Sequence, residues 1–117
     1  MNCVSLVGRL TKDPEARKTS NGNSLLLFTV AVDRGMKDQD GNRITDFINC
    51  QAWNKTADFI CSYFHKGDPI EINGNLQTRT YEKDGQKVFV TEVFVTQVGF
   101  VPGKPNNTNS DSDNIEF

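Results

Sequence analysis

The stretch Asp46-Phe47-Ile48-Asn49-Cys50-Gln51-Ala52-Trp53 gathers residue types that can hold a row of bases. In a strand, successive side chains point to opposite faces. Ile48, Cys50 and Ala52 then form a small apolar face, and Phe47, Asn49, Gln51 and Trp53 form the other. Two aromatics thus share a face with two amides, whereas burial alone would group them with the apolar set. Phe47 and Trp53 lie roughly 20 Å apart at strand rise, room for a few extended bases. Aromatic rings stack on bases of any sequence, so this face reads as a platform for unpaired nucleic acid. The competing reading packs both rings under a loop or against another subunit.

A second stretch repeats the signature. Across residues 70–82, Ile70, Ile72 and Leu76 are expected to face inward, while Asn75, Gln77, Arg79 and Tyr81 share the opposite face. The candidate phosphate contacts are Lys12, Arg17, Arg34, Lys37, Arg43, Lys55, Arg79, Lys83 and Lys87. Several of these bases also fit the plainer role of solvated surface charge.

Other chemistries find less support. Cys3, Cys50 and Cys61 form no CxxC, and His65 is the lone histidine, so no zinc spacing exists and no metal or cofactor is expected. A nuclease needs converging carboxylates and a cation. Asp13, Asp38, Asp40 and Asp84 fall in turns, and Asp33 and Asp46 fall at strand ends. Without a Ser-His-Asp or Cys-His arrangement, the chain reads as a binding protein and not an enzyme. A third reading is a protein-interaction module that no longer wraps a strand; Phe47, Trp53 and Tyr81 argue against it.

A chain of 117 residues suits one domain. Its net charge of -2 is unevenly placed. Three of the fifteen acids (Asp111, Asp113 and Glu116) and one of the thirteen bases (Lys104) lie beyond residue 103, leaving twelve of each before it. A neutral body binds nucleic acid only where its bases cluster. Ser5, Gly8 and Arg9 interrupt the first apolar run, so neither a signal peptide nor a membrane span is expected. An odd number of cysteines without a secretion signal points to a reducing cytoplasm.

The elements that must position the platform follow from local pattern. Residues 3–10 alternate as a first strand, with Val4, Leu6 and Leu10 on one face and Gly8 marking a bulge or barrel corner. Asn21-Gly22 signals a hairpin. Residues 24–33 form a second strand with Leu26, Phe28, Val30 and Val32 inward, and residues 34–43 are expected to leave the sheet as a loop. Asn54 to His65 changes to helical period, with Asn54 as cap, Phe59, Ile60, Tyr63 and Phe64 as core, and Lys66-Gly67 as the stop. Lys83 to Gln86 is a hairpin turn, and residues 87–98 form a fifth strand with a bulge or two-sided burial. Residues 1–101 thus read as one all-β domain, a five-stranded OB-fold barrel with one helix between strands three and four. Residues 102–117 read as a disordered linker with an acidic tip.

Leu6-Val-Gly-Arg-Leu-Thr-Lys-Asp-Pro-Glu15, Asp46-Phe-Ile-Asn-Cys50, Tyr63-Phe-His-Lys-Gly67 and Leu76-Gln-Thr-Arg-Thr-Tyr81 resemble bacterial and phage single-stranded DNA-binding proteins, in the same order from Asn2 to about Phe100. The resemblance implies a cytoplasmic homotetramer of OB-folds that wraps single-stranded DNA without sequence preference in replication, recombination and repair. The family's stacking aromatics fall on Phe47, Trp53 and Tyr81; a fourth falls at Met36, a departure. The tip Asp111, Asp113, Ile115, Glu116 and Phe117 resembles the family's partner-recruiting end, with Glu116 where proline is usual.

Overall fold

A computed structural model describes residues 1–101. The chain forms β1 (Val4–Leu10), β2 (Arg17–Lys18), β3 (Ser24–Lys37), β4 (Arg43–Trp53), α1 (Asn54–Tyr63), β5 (Pro69–Lys83) and β6 (Gln86–Gly99). The strands are ordered β1-β5-β6-β4-β3-β2, and β1 also pairs with β3, so the five long strands close on themselves. This is the expected OB-fold barrel with its helix between the third and fourth long strands. The two-residue β2 is an addition, held on β3 by the Arg17↔Leu25 and Lys18↔Ser24 pairs. The expectation of a disordered tail over 102–117 lies outside the described residues.

Closure happens at Gly8. β1 runs beside β5 from Val4 to Arg9, and at Arg9 and Leu10 it also takes Ala31 and Val30 of β3. A Cβ on Gly8 would collide with the Ala31 carbonyl oxygen and lie 2.5 Å from Val30 Cγ1. The strand bends across another strand there because no side chain intervenes.

The core follows the alternation. Leu10, Leu26, Phe28, Val30, Cys50, Ala52, Ile70, Ile72, Val93 and Val95 fill the barrel, and α1 adds Ala57 and Ile60. Burial pushes the Cys50 thiol up to about 12, as the nearby Glu92 charge also does, so this sulfur behaves as a small apolar group. β6 combines both expected irregularities. Glu92 and Val93 are buried in succession, and the register slips at Asn73/Gly74, where Thr96 Oγ1 donates to the Asn73 carbonyl at 3.1 Å.

Five local expectations are corrected. Residues 34–37 and 43 stay in the sheet, so β3 and β4 project as a finger with only residues 38–42 in its turn. Cross-strand bonds and ion pairs hold this polar segment extended. Asn54 does not cap α1; it sits at φ +51, and its Oδ1 accepts the Ser24 backbone N–H at 3.0 Å, tying the helix start to β3. Lys66 and Gly67 lie past the helix, whose cap is the extended Phe64; Gly67, at φ +86, serves the following turn and donates to the Leu10 carbonyl. Phe64 is buried as expected, but Tyr63 is 59% exposed. Leu76 lies on the inward face of β5 opposite the buried Val93, yet is exposed, because the β1 pairing along β5 stops at Gly74 and leaves its flank open.

Candidate nucleic-acid interface

The platform spans two strands. Trp53, Gln51, Asn49 and Phe47 of β4 stand directly beside Leu25, Leu27, Thr29 and Ala31 of β3. Directly paired residues share a face. Phe47 is 65% exposed, while Trp53 is partly buried. Thr29 Oγ1 donates to Asn49 Oδ1 at 3.3 Å, and Leu27 is exposed beside them. Leu27 escaped the sequence reading, although its signal was present: with Leu26 in the core, alternation puts Leu27 on the platform.

A groove of about 470 Å³ crosses this face, lined in part by Lys12, Arg17, Leu27, Asn49, Arg79 and Tyr81. Lys12 follows β1, Arg17 belongs to β2 and the last two come from β5, so three separate parts of the chain converge on β4. Tyr81 is 43% exposed. The Arg79 guanidinium carbon lies 5.9 Å from the Tyr81 ring centroid, a cation–π arrangement.

Beneath the groove sits Glu92, only 3% exposed. Its Oε1 accepts from Arg79 Nε at 2.6 Å and from Gln51 Nε2 at 2.6 Å. Gln51 Oε1 in turn accepts from Trp53 Nε1 at 2.6 Å. The hydrogen bond to Glu92 is the main cause raising the Arg79 pKa above its ordinary value. Glu92 was also missed from sequence. An acid amid Val88, Val90, Val93 and Val95 was its only mark.

The remaining candidates are spread over other surfaces. Met36, 57% exposed, and Lys37 lie at the end of β3 in the finger. Arg34 is paired with Asp46, and Arg43 with Asp33. Lys83 shares a face with Tyr81 near the hairpin turn, whereas Lys87, opposite Glu82, projects from the other side. Lys55 lines a different cleft of about 410 Å³, beside α1, with Phe59, Glu71 and Asn73. Asp111, Asp113, Ile115, Glu116 and Phe117 lie outside the described residues. Among the described residues, no three His, Cys, Asp or Glu side chains gather where a metal could be held. Nor, among the described residues, is any helix long and apolar enough to cross a membrane.

Residues 1–101 match the model of the single-strand binding protein family. The chain is 46% identical over 115 residues to "Single-stranded DNA-binding protein 2" of Listeria monocytogenes, covering 97% of this chain and 72% of the relative. It is 49% identical over 108 residues to the "Single-stranded DNA-binding protein" of Bacillus cereus, covering 92% of this chain and 62% of that protein. With "Single-stranded DNA-binding protein A" of Bacillus subtilis it shares 49% identity over 105 residues, 89% of this chain and 61% of the relative. The chain therefore spans about three-fifths to three-quarters of the length of these relatives.

Proposed function

The chain belongs to the single-strand binding protein family, and on that footing we propose that it binds single-stranded DNA without regard to sequence. The observation that carries this reading is the row of Phe47, Asn49, Gln51 and Trp53 on one face of β4, with Phe47 and Asn49 exposed and Gln51 and Trp53 half-buried, beside a groove that Asn49 shares with Arg79 and Tyr81. Phe47, Trp53 and Tyr81 stack on bases, with Met36 as an apolar contact on the finger. Lys12 and Arg17 meet phosphates in the groove; Lys37, Lys83, Lys55 and Lys87 meet a strand that continues over the finger, the hairpin and the flanks. Arg34, Arg43 and Arg79 already hold carboxylates, and they reach phosphate only by exchanging one anion for another. Duplex DNA binds far more weakly because its bases are already stacked on each other. The reading assigns no catalysis.

One barrel offers few stacking sites, so wrapping a long strand calls for several platforms in one assembly. We assign a cytoplasmic homotetramer acting in replication, recombination and repair. The acidic segment Asp111, Asp113, Ile115, Glu116 and Phe117 recruits protein partners: its carboxylates repel phosphate, while Ile115 and Phe117 suit a small apolar pocket ringed by Lys or Arg.

The test titrates poly(dT) into the full chain, with Trp53, the single tryptophan, as the fluorescent reporter, and determines mass by sedimentation. Expected are saturable quenching, far weaker binding of duplex, and a mass of four chains. Equal affinity for duplex, or no quenching, overturns strand binding; a monomer at micromolar concentration overturns the assembly. Truncation after Pro105 should leave strand binding intact and abolish pull-down of repair and replication enzymes. Equal recovery by both forms would overturn the recruiting role.

A further inference from the structure

Trp53 can only donate a hydrogen bond through its indole, and a carboxylate can only accept. They cannot be linked head to tail without an adaptor that does both. Gln51 is that adaptor: its amide N–H points to Glu92 Oε1 and its oxygen receives the Trp53 N–H, each at 2.6 Å. The same carboxylate oxygen holds Arg79 Nε, and Arg79 lies against the Tyr81 ring. The relay thus joins β4, β5 and β6, and each end carries a stacking residue. Glu92 is 3% exposed, so its charge is tolerated because Arg79 and Gln51 satisfy it.

We propose that Glu92 is a positioning residue for base stacking: through Gln51 it orients the Trp53 indole, and through Arg79 it orients the Tyr81 ring. This deepens the strand-binding reading and rests on it. Glu92 itself sits below the platform and touches no base. It also neutralises Arg79, so this arginine serves geometry while Lys12 and Arg17 of the same groove serve phosphate. Preorganised rings stack without losing side-chain freedom at the moment of binding, which preserves affinity.

Two variants of the full chain separate the branches. Gln51→Met keeps the volume and cuts the Trp53 branch while leaving the Glu92–Arg79 pair. Glu92→Gln removes the charge from both branches. The first readout is the local rotational amplitude of Trp53 by time-resolved anisotropy in the free protein, which is expected to rise in both. The second is poly(dT) affinity, expected to fall about tenfold in each, within the range for residues sharing one hydrogen-bond network. The third is the salt dependence of log K. Glu92→Gln should steepen it by up to about 0.7 because Arg79 becomes free to meet a phosphate, and Gln51→Met should leave it unchanged. Loss of fold alone would not steepen the slope. If Glu92→Gln fails to fold, Gln51→Met still decides: an indole as constrained as in the wild type overturns the proposal. A wild type that ignores poly(dT) would instead remove the strand-binding reading, with the free-protein anisotropy still deciding whether the relay holds the indole.

Discussion

Arg34 grips Asp46 with both arms of its guanidinium, Nε to Oδ2 at 2.9 Å and Nη2 to Oδ1 at 2.9 Å, across the base of the β3–β4 finger. Asp33 and Arg43 make the companion pair nearer the tip. These crossed pairs hold a polar, glycine-containing segment in the sheet and carry Met36 and Lys37 out from the barrel.

The Arg34 hydrogen bond is the main cause holding the Asp46 carboxyl below its ordinary value of 3.8. A depressed acid contributes its pairing above the unfolded value and loses it as pH falls through the folded one. By carbon-detected NMR titration, Asp46 should therefore titrate below 3.8 in the wild type and move upward in Arg34→Gln. Protection of the finger's backbone amides should hold above the ordinary carboxylate value of 3.8 and fade as pH falls below it. A midpoint unmoved by Arg34→Gln would show that the pair does not persist in solution.

Stacking should dominate affinity. Phe47→Ala, Trp53→Ala and Tyr81→Ala should each weaken poly(dT) binding by roughly 1–3 kcal/mol per lost base contact, measured with a labelled oligonucleotide so that losing Trp53 does not remove the signal. Unchanged affinity in both the Phe47 and Trp53 variants, with the fold intact by circular dichroism, would contradict the platform.

Salt dependence should sort the cations. Lys12→Ala should lower the slope of log K against log salt by about 0.7, one phosphate contact on a single strand. Arg34→Ala should change it less, because Asp46 already occupies the guanidinium. Asp46→Asn should steepen it by freeing Arg34. Equal losses from Lys12→Ala and Arg34→Ala would show that phosphate displaces Asp46 without hindrance.

Barrel closure should fail first at Gly8. In Gly8→Ala the new methyl meets the Ala31 carbonyl and Val30 Cγ1, neither the far end of a flexible chain. Overpacking of this kind costs about 1–3 kcal/mol, read as a lower urea midpoint at unchanged slope. Wild-type stability would mean that β1 and β3 separate there at little cost.

What the amino-acid sequence determined is what depends on neighbours along the chain. Alternation at period two placed Phe47, Asn49, Gln51 and Trp53 on one face and Ile48, Cys50 and Ala52 on the other, and Lys83 to Gln86 marked its hairpin. Pattern also located the helix, since Phe59, Ile60, Tyr63 and Phe64 recur at helical period. Tertiary structure decided what depends on residues brought together from afar. Gln51 meets Glu92 across 41 positions, and that meeting exists because the barrel sets β4 and β6 side by side. Likewise, polarity and glycine made residues 34–43 read as a loop, while Arg34–Asp46 and Arg43–Asp33 keep their flanks as strand. Asn54 looked like a cap because its side chain can accept a backbone N–H; the one it accepts belongs to Ser24, on a neighbouring strand. Periodicity reports which face a side chain takes, and barrel closure chooses the partner it finds there.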